Sequence, residues 1–162
     1  MRKDNKGFSL IELIVVVAIM AVLVSVIAPQ FTKYIGKTKR TVDVNTADEL
    51  VHVFDIEMIS GAKWNKFNES MNVYVGSFDK NTPFPSEPGN DLLLCALNVL
   101  GRVPVSQFDE NLRWRVAVFE DKLDSIYLVE ENSSRYGYEL YPDPSVFLNE
   151  GEMVPVEWKY NK

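Results

Sequence analysis

The sequence predicts an α+β protein: one long, bent N-terminal helix, membrane-spanning in its first half, packed through its second half on an antiparallel sheet of about four strands. Three observations predict this. The run from Phe8 to Ala28 holds 21 residues with a single charge, Glu12. The stretch behind it keeps helical character but becomes amphipathic. From about Val73 onward the apolar period shifts towards 2, the signature of strands.

At a rise of 1.5 Å per residue, Phe8–Ala28 makes a helix of roughly 31 Å, the hydrocarbon thickness of a bilayer. It follows a short basic leader containing Arg2, Lys3, Asp4 and Lys6. A secretory signal peptide has a similar start, but its apolar core is shorter and closes on small residues. Here Pro29-Gln30-Phe31 follows instead, so a retained membrane helix is expected. Pro29 cannot donate to the carbonyl of Ser25 and should bend the helix. Gly36 is a second weak point, costing about 1 kcal/mol relative to alanine. Lys33, Lys37, Lys39 and Arg40 suit the headgroup boundary.

From Val44 the chain shows one apolar stripe, Val44, Ala47, Val51, Phe54 and Met58, spaced by three and four residues. Asp43, Asp48, Glu49, Asp55 and Glu57 fall off it. One helix from about Phe8 to Ser60 is the economical reading, with Gly61 placed to end it.

Beyond Gly61, Val73–Phe78 is a strand candidate, and Asn81–Asn90, with three prolines and a glycine, is a loop. Asp91–Leu100 reads as a short helix, with Asn90 or Asp91 as cap and Gly101 at its end. Trp114, Val116 and Val118 alternate with Arg113, Arg115 and Ala117. Ile126–Glu130 follows the polar turn Glu120–Asp124, which suggests a hairpin. Tyr136, Tyr138 and Leu140 alternate next, and Val154, Val156, Trp158 and Tyr160 give a last strand that Pro155 assigns to a sheet edge. The chain therefore divides into a leader (1–7), an apolar helix (8–28), its amphipathic continuation (29–60) and a globular domain (61–162).

Composition narrows the function classes. A hydrophobic content of 46%, with three Trp, seven Tyr and nine Phe, argues for a packed core. The net charge is −6, and −8 once the first seven residues are set aside, which disfavours general nucleic-acid binding. Cys95 is the single cysteine, so no intrachain disulfide is possible, and it reads as a buried free thiol. His52, the single histidine, reads as a packed or rim side chain of the amphipathic helix. One histidine and one cysteine make no standard zinc site. The carboxylate neighbours Asp109-Glu110 and Glu130-Glu131 are ordinary for so acidic a chain, and Glu120–Asp124 reads as a solvated turn rather than a calcium loop. Arg113-Trp114-Arg115 reads as a core-facing Trp with two surface arginines. No catalytic residue, metal ligand or cofactor is assigned, and the chain is not expected to be an enzyme.

Glu12 remains to be explained. A carboxylate within a membrane span costs about 2.5–3.5 kcal/mol on insertion scales and is read as functional by default. It is either protonated or seeking a cation.

The stretch Lys6-Gly7-Phe8-Ser9-Leu10-Ile11-Glu12-Leu13-Ile14-Val15-Val16-Val17-Ala18-Ile19 resembles the class III signal sequence of type IV pilins and the related pseudopilins. Pro29 also falls where that family commonly carries a proline. The resemblance implies cleavage between Gly7 and Phe8 by a prepilin peptidase, and methylation of the new Phe8 amine. The protein would wait in the cytoplasmic membrane with its C-terminal domain outside the cytoplasm. An assembly platform driven by a cytoplasmic ATPase would then draw it into a helical, cell-surface filament of identical or related subunits. In such a filament the Phe8 amine of a neighbour is the cation available to Glu12, and the pair would set axial register. The positive-inside rule alone assigns the opposite topology, because Lys33–Arg40 hold more basic charge than the leader. A cleavable leader read by its own machinery overrides it. The absent cysteine pair departs from pilins whose C-terminal loop is closed by a disulfide. A pseudopilin of a type II secretion or DNA-uptake system, and a membrane-tethered binding module that does not polymerise, are the alternative readings.

Overall fold

The computed structural model describes residues 8–62, 73–85, 91–120, 122–133, 135–149 and 155–158. The leader 1–7, with Gly7, lies outside the described residues, as do Asn90, Asp121, Val154 and Tyr160. The chain separates into two compact units, Met1–Gly36 and Lys37–Lys162.

In the first unit a single helix, α1, begins at Leu10, and every described side chain from Phe8 to Ile35 is exposed. Nothing within the unit buries its apolar surface, as expected of a helix that is apolar all round. Pro29 lies inside α1 without ending it.

The second unit holds the rest of α1, which ends at Ile59. Gly61 closes it with a φ of +88°, its N–H donating to Met58 O (3.2 Å) while Ala62 N donates to Glu57 O (3.0 Å). This pair of bonds is the Schellman arrangement, and the left-handed φ explains the glycine. Five strands follow: β1 (Val73–Phe78), β2 (Arg113–Phe119), β3 (Lys122–Val129), β4 (Tyr136–Tyr141) and β5 (Val156–Glu157). They form one antiparallel sheet in the order β1-β2-β3-β4-β5, in line with the expected sheet of about four strands, each of the five strand-like segments contributing one. Between β1 and β2 lies α2 (Leu92–Leu100), capped by the Asp91 side chain on Leu94 N and ended by Gly101 at φ +73°. A four-residue turn, α3 (Ser145–Leu148), follows β4 and was not expected from the pattern.

The core lies between α1, α2 and the inner sheet face. Val44, Ala47, Leu50, Val53 and Phe54 of α1 meet Leu92, Ala96 and Leu97 of α2 and Trp114, Val116, Val118, Ile126, Leu128 and Leu140 of the sheet. The expected stripe is present, with Val51 and Met58 only partly buried and Leu50 and Val53 added. Trp114 lies parallel to Phe78, with ring centroids 6.1 Å apart. Fully burying a side chain of this size contributes about 1.5–3 kcal/mol.

Several expectations need correction. Lys122–Asp124 belong to β3 rather than to the turn, because Phe119 pairs with Lys122 and a register shift beyond Ala117 absorbs the extra residue. The described last strand has only two residues, and the ladder runs one step past it, in register, where the Trp158 N–H donates to Arg135 O (2.8 Å). Its ring then packs on the outer sheet face with Ala117, Tyr127 and Val129, and the Arg115 guanidinium lies 4.8 Å from it. Arg115 is therefore half-buried rather than a plain surface residue. Arg113 is tied to Asp79 Oδ2 at 2.9 Å.

Candidate functional site

Of the residues singled out at the N-terminus, Phe8 lies just before α1 and Glu12 in its first turn. Ser9 is the residue before the helix; its carbonyl accepts from Leu13 N (3.2 Å) and its hydroxyl from Ile11 N (3.4 Å). Glu12 reaches back, and its Oε2 accepts from the Ser9 N–H at 2.8 Å. Together these contacts make a capping box, S-x-x-E, in which the first donors of the helix are satisfied by two side chains three residues apart. A carboxylate here also faces the positive end of the helix dipole.

Glu12 therefore has a hydrogen-bond donor within its own chain, a role that sequence reasoning missed. The signal was legible in Ser9-Leu10-Ile11-Glu12, but the apolar setting drew the reading towards an external cation. Phe8, Ile11, Glu12, Val15 and Val16 line one shallow apolar facet of the helix. Phe8 is 87% exposed. The structure thus brings Phe8 and Glu12 to one facet, while Gly7 lies outside the described residues. Pro29 lies some five turns further along the same helix.

A second polar cluster stands where α1 enters the globular unit. Asp43 was read as off the apolar stripe, yet it is fully buried. Its carboxylate accepts from Ser106 Oγ (2.7 Å), Gln107 N (2.7 Å) and Phe108 N (3.0 Å). A buried carboxylate is tolerated when its lone pairs are met in this way. One helical turn earlier, Arg40 donates to Asn149 O (2.7 Å) and lies 5.3 Å from the Phe108 ring centroid. Arg40 is thus held inside the globular unit rather than left at a headgroup boundary. Phe108 in turn meets Phe147 and Tyr138 edge-on. This cluster is structural: it fixes the loop after α2 to α1.

The remaining candidates, His52 and Cys95, belong to neither cluster. His52 is exposed on α1. Cys95 is half-buried rather than buried, and burial, with Glu57 and Asp91 nearby, pushes its thiol up, away from the nucleophilic thiolate form. Among the described residues no three His, Cys, Asp or Glu side chains come together to hold a metal ion.

A family model described as the prokaryotic N-terminal methylation motif matches residues 2–28. The matched stretch takes in Gly7, Phe8, the capping pair Ser9 and Glu12, and the apolar run to Ala28. No curated protein and no solved structure matches the chain. Residues 2–28 therefore carry the prokaryotic N-terminal methylation motif, the signature of type IV pilins and pseudopilins, on a helix apolar and long enough to cross a membrane.

Proposed function

We propose that this chain is a structural subunit of a type IV pilus or a related filament. A prepilin peptidase cuts it between Gly7 and Phe8 and methylates the Phe8 amine. The subunit is stored in the cytoplasmic membrane with residues 61–162 outside the cytoplasm, and is drawn into a filament by an assembly platform and its ATPase. Its helix, bent at Pro29, then polymerises with helices of like subunits, and Glu12 takes the Phe8 amine of a neighbour. The observation that carries this reading is the methylation motif on a helix whose apolar surface is bare from Phe8 to Ile35. Such a surface needs lipid or other helices around it. Intact-mass analysis of the membrane-extracted protein tests the reading: a chain starting at methylated Phe8 supports it, and one retaining residues 1–7 overturns it.

A second reading is favoured by one observation, the bond from Ser9 N to Glu12. If that bond is the whole role of Glu12, the helix is a tether for a binding module and the chain stays monomeric. The mass measurement separates the two.

A further inference from the structure

The apolar run Phe8–Ala28 is not the best estimate of the bilayer span. Between Glu12 and Lys33 the sequence holds only three polar side chains, Ser25, Gln30 and Thr32. Two of them are already satisfied inside the helix: Ser25 Oγ donates to Val22 O (2.7 Å) and Thr32 Oγ1 to Ala28 O (3.1 Å). Back-bonded hydroxyls carry no unmet donor into lipid, so Thr32 does not have to lie outside the hydrocarbon. Gln30 lies within a single turn of Lys33, close enough to reach the interface. The first charge after Glu12 is Lys33, and it is flanked by Phe31 and Tyr34, which are 61% and 70% exposed. Aromatic rings beside a lysine are the usual markers of a membrane–water boundary.

We propose that in the membrane-stored subunit the hydrocarbon span runs from Glu12 to Lys33, with Glu12 at one headgroup layer and Lys33 bound to lipid phosphates at the other. The separation, about 31 Å along the helix, equals a hydrocarbon core. Phe8 and Ser9 then lie at headgroup level, with the processing junction outside the hydrocarbon. Glu12 is spared the cost of deep burial, and the Phe31–Tyr34 pair forms the outer belt. This inference rests on the membrane-storage part of the proposed function and refines its depth.

The test is a spin-label depth scan of the full-length chain in phosphatidylethanolamine–phosphatidylglycerol vesicles. Single cysteines are introduced at Val15, Ala18, Leu23, Ile27 and Phe31 in a Cys95→Ser background. The proposal expects the deepest label at Leu23, with Ala18 and Ile27 at equal depth. A deepest label at Ala18, the centre of Phe8–Ala28, overturns it. In a Lys33→Leu variant the next charge is Lys37, so the midpoint should move about half a turn towards the C-terminus and Ile27 should become deeper than Ala18; an unmoved profile also counts against the proposal. Failure here and failure of the filament reading are distinguishable. A maximum at Leu23 in a chain never cut after Gly7 leaves the span standing, whereas a maximum at Ala18 in a processed, filament-forming chain removes only the span.

Discussion

Residues 8–35 and residues 43–54 draw on the same aliphatic residues and belong to one helix, yet they meet opposite surroundings. Every side chain of the first set is exposed, while Asp43, Val44, Thr46, Ala47, Leu50, Val53 and Phe54 of the second are buried. The difference lies in pattern. An all-round apolar surface cannot be covered by one layer of a small domain, so it must find its solvent elsewhere. A single stripe, by contrast, is matched by one sheet face.

The largest break between the two regions is expected from paired truncations. Phe54→Ala removes a fully buried ring and should destabilise the globular unit by about 3–5 kcal/mol. Leu23→Ala, in the exposed half, should leave the thermal transition of the detergent-solubilised protein unchanged. Equal effects at the two positions would mean that the halves are not separate in stability.

The next effect tests the buried polar tie. Asp43→Ala leaves Ser106 Oγ, Gln107 N and Phe108 N without their acceptor, at a cost of about 3 kcal/mol. Amide hydrogen exchange should show Gln107 and Phe108 losing protection first. A variant with unaltered exchange at these two amides would show that the carboxylate does not hold the loop.

That tie also marks what the sequence concealed. Helical period assigned Asp43 by polarity alone, and nothing near it announces that a loop more than 60 residues on will supply three donors. The strand β1 and the Asp91 cap were legible because alternation and capping are local signals. The covered outer face was not legible, since alternation puts Val156 and Trp158 on one side of their strand without saying which face of the sheet that side joins. At the candidate site, the motif points to Phe8 and Glu12, and the structure sets them on one facet. The Ser9–Glu12 box was also written there but was read as a membrane feature instead of a helix cap.

A smaller effect is expected at the crowded side of the sheet. A Cβ on Gly137 would lie 2.6 Å from Val129 Cγ1 and 2.9 Å from the Leu128 carbonyl oxygen. Gly137→Ala should therefore cost about 1–3 kcal/mol by overpacking, read as a lowered unfolding midpoint. An unchanged midpoint would mean that β3 and β4 are not packed this closely.

The smallest is a pH effect confined to the globular unit. The Arg113 guanidinium, helped by Asn81 N–H and the Thr82 hydroxyl, holds the Asp79 carboxyl below its usual range despite burial. A depressed folded-state value contributes stability that is present above the unfolded value of about 3.9 and lost as pH falls through the folded one. Denaturation midpoints measured downward from pH 5 should therefore drop less in Arg113→Met than in the unmodified protein. An equal drop would remove Asp79 as a contributor.

The central claim is that Glu12 serves assembly beyond its own helix cap. Filament yield from cells making Glu12→Ala tests this most directly, read together with the mass and thermal transition of the same subunit. The account predicts a chain that begins at Phe8 and unfolds at the wild-type midpoint, yet forms no filaments. Filaments at wild-type yield would contradict it.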